Sequence, residues 1–220
     1  MSKSNSIFVT GISTEVGKTV ASAIIVEALH ADYYKPVQAG DLDFGDTERV
    51  QALVSNTQSV FHAPAYGLQT PMSPHAAAAI DEVEITLKHI KRPKTKNALV
   101  IEGAGGLLVP LNDKDTIADL IMPEDQVIVV SRHYLGSINH TLLTLAYLES
   151  KKLKVGGILF SGAEYPTTEQ IILEKTGVRF LGRIDQEPYF DQNVVREYAE
   201  RFKTDLVSLV SNTNKKGKET

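Results

Sequence analysis

The chain contains no cysteine among its 220 residues. That excludes disulfides, thiolate metal sites and cysteine nucleophiles together. No apolar run approaches the ~18 residues of a membrane-crossing helix, and Met1–Ser6 is too short and polar for a secretion signal. The histidines (His30, His62, His75, His89, His133 and His140) never fall at the spacing of a helical zinc site. Neither an internal repeat nor a domain linker divides the chain. A net charge of −4 argues against nucleic acid as the main partner. These absences leave a cytoplasmic protein with no membrane partner as the default expectation.

What is present reads as one α/β domain over residues 1–210, with a polar, Lys-rich tail at 211–220 expected to be disordered. Apolar runs at Ser6–Thr10, Tyr33–Val37, Ala98–Glu102, Gln126–Ser131, Val155–Phe160 and Phe180–Ile184 predict strands. Most are continuous rather than alternating, the pattern of strands covered on both faces. Helical patterns lie between them at about 17–30, 46–55, 75–91, 116–121, 137–150 and 167–175, whereas Ser55–Pro74 is turn-rich and unassigned. This succession predicts a doubly wound, mostly parallel sheet, with ligands bound beyond the carboxyl ends of its strands.

The first strand runs into Gly11-Ile-Ser-Thr-Glu-Val-Gly-Lys-Thr19. A strand, a glycine-bearing turn and Gly-Lys-Thr opening a helix form a phosphate-binding loop. Lys18 would reach the outer phosphates of ATP, and the Thr19 hydroxyl would ligate Mg²⁺. Five residues separate Gly11 from Gly17, one more than usual. Lys35 closes the second strand before Pro36, which favours an extended conformation there; its ammonium is then either an ordinary surface charge or a second cation over the phosphate loop. Glu102 ends a strand and precedes Gly103-Ala-Gly-Gly106, the position of a carboxylate partner for nucleotide-bound Mg²⁺. Asp41, Asp43 and Asp46 crowd one loop, and any one of them could join that shell; Asp46 also suits a helix N-cap. The helix starting near Ser137 offers an N-terminus to an anion or is simply capped by that serine.

These blocks, in this order, resemble the dethiobiotin synthetase family. The match runs through Phe8-Val-Thr-Gly11, Thr14-Glu-Val-Gly-Lys-Thr19, Tyr34-Lys-Pro-Val37, Val100-Ile-Glu-Gly-Ala-Gly-Gly106 and Leu135-Gly-Ser-Ile-Asn-His140, and is weak beyond about Ile184. The longer phosphate loop is characteristic of that family. The resemblance implies a P-loop NTPase fold of the SIMIBI-like kind and an ATP- and Mg²⁺-dependent cyclo-ligase. Its substrates would be 7,8-diaminopelargonate and CO₂, joined through a carbamate and a carbamic–phosphoric anhydride.

Roles carry over onto matching positions. Lys18, Lys35 and Thr14 would be catalytic, and Thr19, Asp46 and Glu102 would hold Mg²⁺. Glu15, Val16, Gly17, Lys18, Thr19 and Val20 would embrace the polyphosphate, with Glu102, Gly103, Ala104 and Gly105 alongside. Thr14, Lys35, Ala39 and Gly105 would contact the substrate head. Leu135, Gly136, Ser137, Ile138 and Asn139 would receive the substrate carboxylate of the neighbouring subunit in a homodimer. Two departures stand out. Ala39 replaces a hydroxyl residue that helps bind the carbamate, leaving that task to water or Gln38. Ser161 with Gly162 replaces the adenine-recognising asparagine. Two rival readings are a ParA- or MinD-like ATPase switch and a cobyrinate-type amide synthase. The first calls for an extra lysine early in the loop, where Ile12, Ser13 and Thr14 stand; the second needs a glutaminase cysteine.

Overall fold

The computed structural model describes residues 5–211. Among them, seven strands form one wholly parallel sheet. They are β1 (Ser6–Gly11), β2 (Asp32–Tyr34), β4 (Phe61–His62), β6 (Leu99–Glu102), β7 (Gln126–Arg132), β8 (Lys154–Ser161) and β9 (Phe180–Ile184), in the order β4-β2-β6-β1-β7-β8-β9. Two further strands, β3 (Val37–Ala39) and β5 (Tyr66–Leu68), pair with each other at the sheet's carboxyl edge. Helices α1 (Lys18–Leu29), α2 (Asp46–Leu53), α3 (Pro74–Ile80), α4 (Ser137–Ser150), α5 (Pro166–Thr176) and α6 (Gln192–Ser211) complete the described elements, with one 3₁₀ turn at Ile117–Leu120.

The apolar runs are continuous because the central strands have no wet face: Ile7, Phe8, Val9 and Val127–Val130 are fully buried. Helix α1 is apolar nearly all round (Ala21, Ala23, Ile24, Ile25, Val26) because β1 and β6 cover one side while α6 and α2 cover another. At the amino ends of the strands, buried Asp125 accepts Arg92 Nη1 at 2.6 Å, the Met122 amide at 2.7 Å and the Ser6 hydroxyl. This latch closes the rim opposite the cleft described below.

Several sequence expectations are corrected. The second strand stops at Tyr34 rather than Val37, because Pro36 has no N–H to give a central ladder; the chain leaves the sheet and resumes as β3. Residues 75–91 hold only the short helix α3. Asp81 turns back to accept the Gln69 and Thr70 amides, and Glu82 takes φ 56°, which ends the helix. In place of a helix over 116–121 there is only the 3₁₀ turn Ile117–Leu120. Gly45, not Asp46, occupies the N-cap of α2, and Gly136, not Ser137, that of α4. The sequence reading missed α6, although Val195, Ala199, Phe202 and Leu206 recur at helical spacing and are buried. It also missed β4 and β5, which are too short to carry a pattern. Ser211 ends α6, and the rest of the expected tail lies outside the described residues.

Candidate active site

Every element of the site leaves the carboxyl end of a parallel strand. After β1, Glu15 (φ 55°) and Gly17 (φ 91°) both turn left-handed, curling the backbone into a nest of N–H groups before α1. The α1 N-cap, Gly17, makes no side-chain capping bond, so the helix N-terminus offers its amide donors outward. Gly17 also lies tight against β8: a Cβ there would sit 2.8 Å from Ser161 Oγ. Lys18 folds back to donate to the Ser13 carbonyl at 3.0 Å. Burial, above all, pulls its ammonium down to about 8; nearby Lys35 pushes the same way against the carboxylates of Glu102 and Asp46.

Because β2 lies beside β6, Lys35 at the end of one meets Glu102 at the end of the other, although 67 residues separate them in sequence. Lys35 Nζ lies 2.6 Å from Asp46 Oδ2 and 3.0 Å from Glu102 Oε1, and it approaches the Gly103 carbonyl at 3.4 Å. Burial works against the Lys35 charge, but Glu102 and Asp46 more than offset it and hold the ammonium above its ordinary range. Burial likewise opposes the Asp46 carboxylate, and Lys35 reverses this, so its pKa is lowered. The Thr19 hydroxyl stands 3.0 Å from Asp46 Oδ1 and 3.3 Å from Glu102 Oε1, and its single proton serves one of them at a time. Tyr33 donates to the remaining Glu102 oxygen at 2.9 Å.

Three hard oxygen donors therefore converge from Thr19, Asp46 and Glu102. No group of three or more His, Cys, Asp or Glu among the described residues is placed to hold a metal ion by itself. Two carboxylates and a hydroxyl suit Mg²⁺, which takes its other ligands from phosphate and water. Asp46 is the acid that enters the site: Asp43 is exposed, and Asp41 pairs with Arg49 at 2.9 Å on the surface.

The cleft over these groups has a volume of about 850 Å³. Thr14, Glu15, Gly17, Lys18, Thr19, Val20, Lys35, Ala39, Asp46, Glu102, Ala104, Gly105, Ser161 and Gly162 all line it, as the motifs lead one to expect. Val16 does not; it packs beneath the loop, against Gly11. Gly103 contributes only its carbonyl. Leu135–Asn139 lie away from this cleft: Leu135 is fully exposed, and Ser137 is buried with its carbonyl bonded to Thr141. Gln38 also lines the cleft beside Ala39; its amide donates to the Gly40 carbonyl and accepts the Asp46 amide, which leaves it a second N–H.

Residues beyond the motifs also line the cleft, among them Arg132, which donates to the Glu15 carbonyl at 3.3 Å, and Ile184–Glu187 at and beyond the end of β9. Both sets sit at strand ends, the one signal that could have found them. A second cavity of about 480 Å³ lies behind the phosphate loop, between Thr14, Gly105 and Leu108 and the α4 residues His140, Leu143 and Tyr147.

A family model described as an AAA domain matches residues 5–194. An ATP-dependent dethiobiotin synthetase of Christiangramia forsetii is 60% identical over 93% of this chain and 99% of its own length. One of Cytophaga hutchinsonii is 50% identical over 87% and 94%. A biotin biosynthesis bifunctional protein of Bordetella avium is 39% identical over 95% of this chain but only 45% of its own. Among solved structures, a plasmid partition protein of Borrelia burgdorferi superposes with a TM-score of 0.55 at 13% identity, over 95% and 99% of the two chains. The septum site-determining protein MinD of Pyrococcus horikoshii, complexed with Mg-ADP, gives 0.52 at 14% identity, over 96% of each chain. The likeness to these ATPases is one of fold alone.

Proposed function

The chain belongs to the ATP-dependent dethiobiotin synthetase family, and from that premise we propose how its cleft carries out the reaction. The protein is an ATP-dependent ligase that forms carbon–nitrogen bonds in making dethiobiotin. The observation that carries the site reading is the convergence of Lys18, Lys35, Thr19, Asp46 and Glu102 on one cleft.

One amine of 7,8-diaminopelargonate captures CO₂ as a carbamate. A carbamate oxygen attacks the γ-phosphorus, ADP leaves, and a carbamic–phosphoric anhydride results. The second amine then attacks the carbonyl carbon, closing the ureido ring and releasing phosphate. These steps need alignment and charge neutralisation more than a strong base. The Glu15–Val20 backbone donors hold the polyphosphate, and Lys18 lies over its outer end. Lys35 neutralises the carbamate and the transferring phosphoryl group. Thr14 and the Gly105 backbone orient the substrate head, with Ala39 leaving one side of it without a hydroxyl. Thr19, Asp46 and Glu102 hold the Mg²⁺, which supplies further positive charge to the phosphoryl oxygens. Ser161 and Gly162 flank the nucleotide.

The working form is a cytoplasmic homodimer in which Leu135–Asn139 of each chain receive the partner's substrate carboxylate. The exposed apolar side chains Leu135 and Ile138 at the start of α4, with exposed Leu108 and Leu143 lining the second cavity, support this. The deciding measurement is ADP release with bicarbonate present. We expect it to require diaminopelargonate and to be indifferent to DNA and lipid vesicles. Release stimulated by DNA or lipid, and not by diaminopelargonate, would instead mark a ParA- or MinD-like switch.

A further inference from the structure

We propose that Tyr33 is a positioning residue that holds Glu102 to single-oxygen metal ligation and so makes the site prefer Mg²⁺ over Ca²⁺. This rests on the reading of Glu102 as a metal ligand.

The argument begins with sheet register. Tyr33 on β2 pairs with Val100 on β6, and Glu102 lies two residues further on, so all three share one face of the sheet. The Tyr33 side chain is fully buried, its ring against Phe61 with centroids 6.4 Å apart. Its hydroxyl is thereby delivered to Glu102 Oε2 at 2.9 Å. The other oxygen, Oε1, faces Thr19 and Lys35, on the cleft side.

A carboxylate with one oxygen committed to a buried donor presents only the other. Mg²⁺ demands compact octahedral geometry and accepts single-oxygen carboxylates, whereas Ca²⁺ tolerates larger, irregular shells and often takes both oxygens of one carboxylate. Tyr33 therefore excludes the two-oxygen mode that would favour the larger ion.

The experiment titrates ATP calorimetrically into the full chain with Mg²⁺ or Ca²⁺, for wild type, Tyr33→Phe and Glu102→Gln. Tyr33→Phe is expected to lower the Mg²⁺-to-Ca²⁺ preference by about fivefold or more, because Glu102 gains access to both modes. A preference within about twofold of wild type, in a cooperatively folded Tyr33→Phe, overturns the proposal. Metal dependence unchanged in Glu102→Gln overturns it differently, by removing Glu102 from the metal site. Should Tyr33→Phe fail to fold, infrared difference spectra of wild type minus Glu102→Gln, both with Mg²⁺, decide the matter. The wide carboxylate band splitting of single-oxygen ligation supports the proposal, and the narrow splitting of two-oxygen ligation overturns it.

Discussion

Lys35 is both a reacting charge and a structural one. Its ammonium is 5% exposed and neutralises two carboxylates, so Lys35→Ala removes more than catalysis. We expect dethiobiotin formation to fall by roughly 10³-fold, the scale of losing a charge-stabilising donor. Stability of the unliganded protein should drop by about 3 kcal/mol, because Asp46 and Glu102 are left facing each other. Magnesium chloride alone should then raise the melting temperature more in the variant than in wild type, since the added cation answers the same two charges. Lys18 gives a second test. Its folded pKa of about 8 lies below the ordinary 10.5, so between those values the unfolded chain holds more protons than the folded one. The cost of burying its charge is therefore present in full below pH 8 and relieved as pH rises toward 10.5. Polyphosphate restores the charge, so ATP binding at pH 8 should take up about half a proton, and almost none at pH 6. Calorimetry in buffers of different ionisation enthalpy measures this directly.

At the level of elements, α6 is the part not read from the sequence; it packs chiefly against α1 and meets the sheet at β9. A Cβ built on Gly182 of β9 would meet the Phe202 ring at 2.3 Å, and the glycine sits at φ 147°. Gly182→Ala is expected to cost about 2 kcal/mol by overpacking and backbone strain, read as a shifted urea midpoint with nucleotide affinity preserved. The same contrast explains what could be read from sequence. The loop from Gly11 to Thr19 and the Glu102–Gly106 block are contiguous, so their chemistry shows in order of residues. Lys35 was visible because a strand end and a proline mark it. Tyr33, Arg132 and Asp185 were not, because their significance depends on which strand lies beside which. The early end of α3 escaped for another reason: it is imposed by Asp81 reaching back to Gln69 and Thr70, a contact no periodicity records.

For the whole molecule, the proposed dimer makes a claim about the α4 face. Leu143 is exposed and lines the cavity behind the phosphate loop. Leu143→Asp should leave the fold intact, shift sedimentation from dimer to monomer, and raise KM for diaminopelargonate by roughly tenfold while KM for ATP changes little. A monomeric variant with an unaltered diaminopelargonate KM would dissociate that loop from the substrate.

The parallel strands also give the molecule a working end and a quiet end. All the reactive side chains hang from one rim, while the chain enters β1 at the other, beside the Arg92–Asp125–Ser6 latch. Asn5 and the start of β1 therefore stand on the side remote from chemistry, and an amino-terminal fusion should turn over at the rate of the free chain.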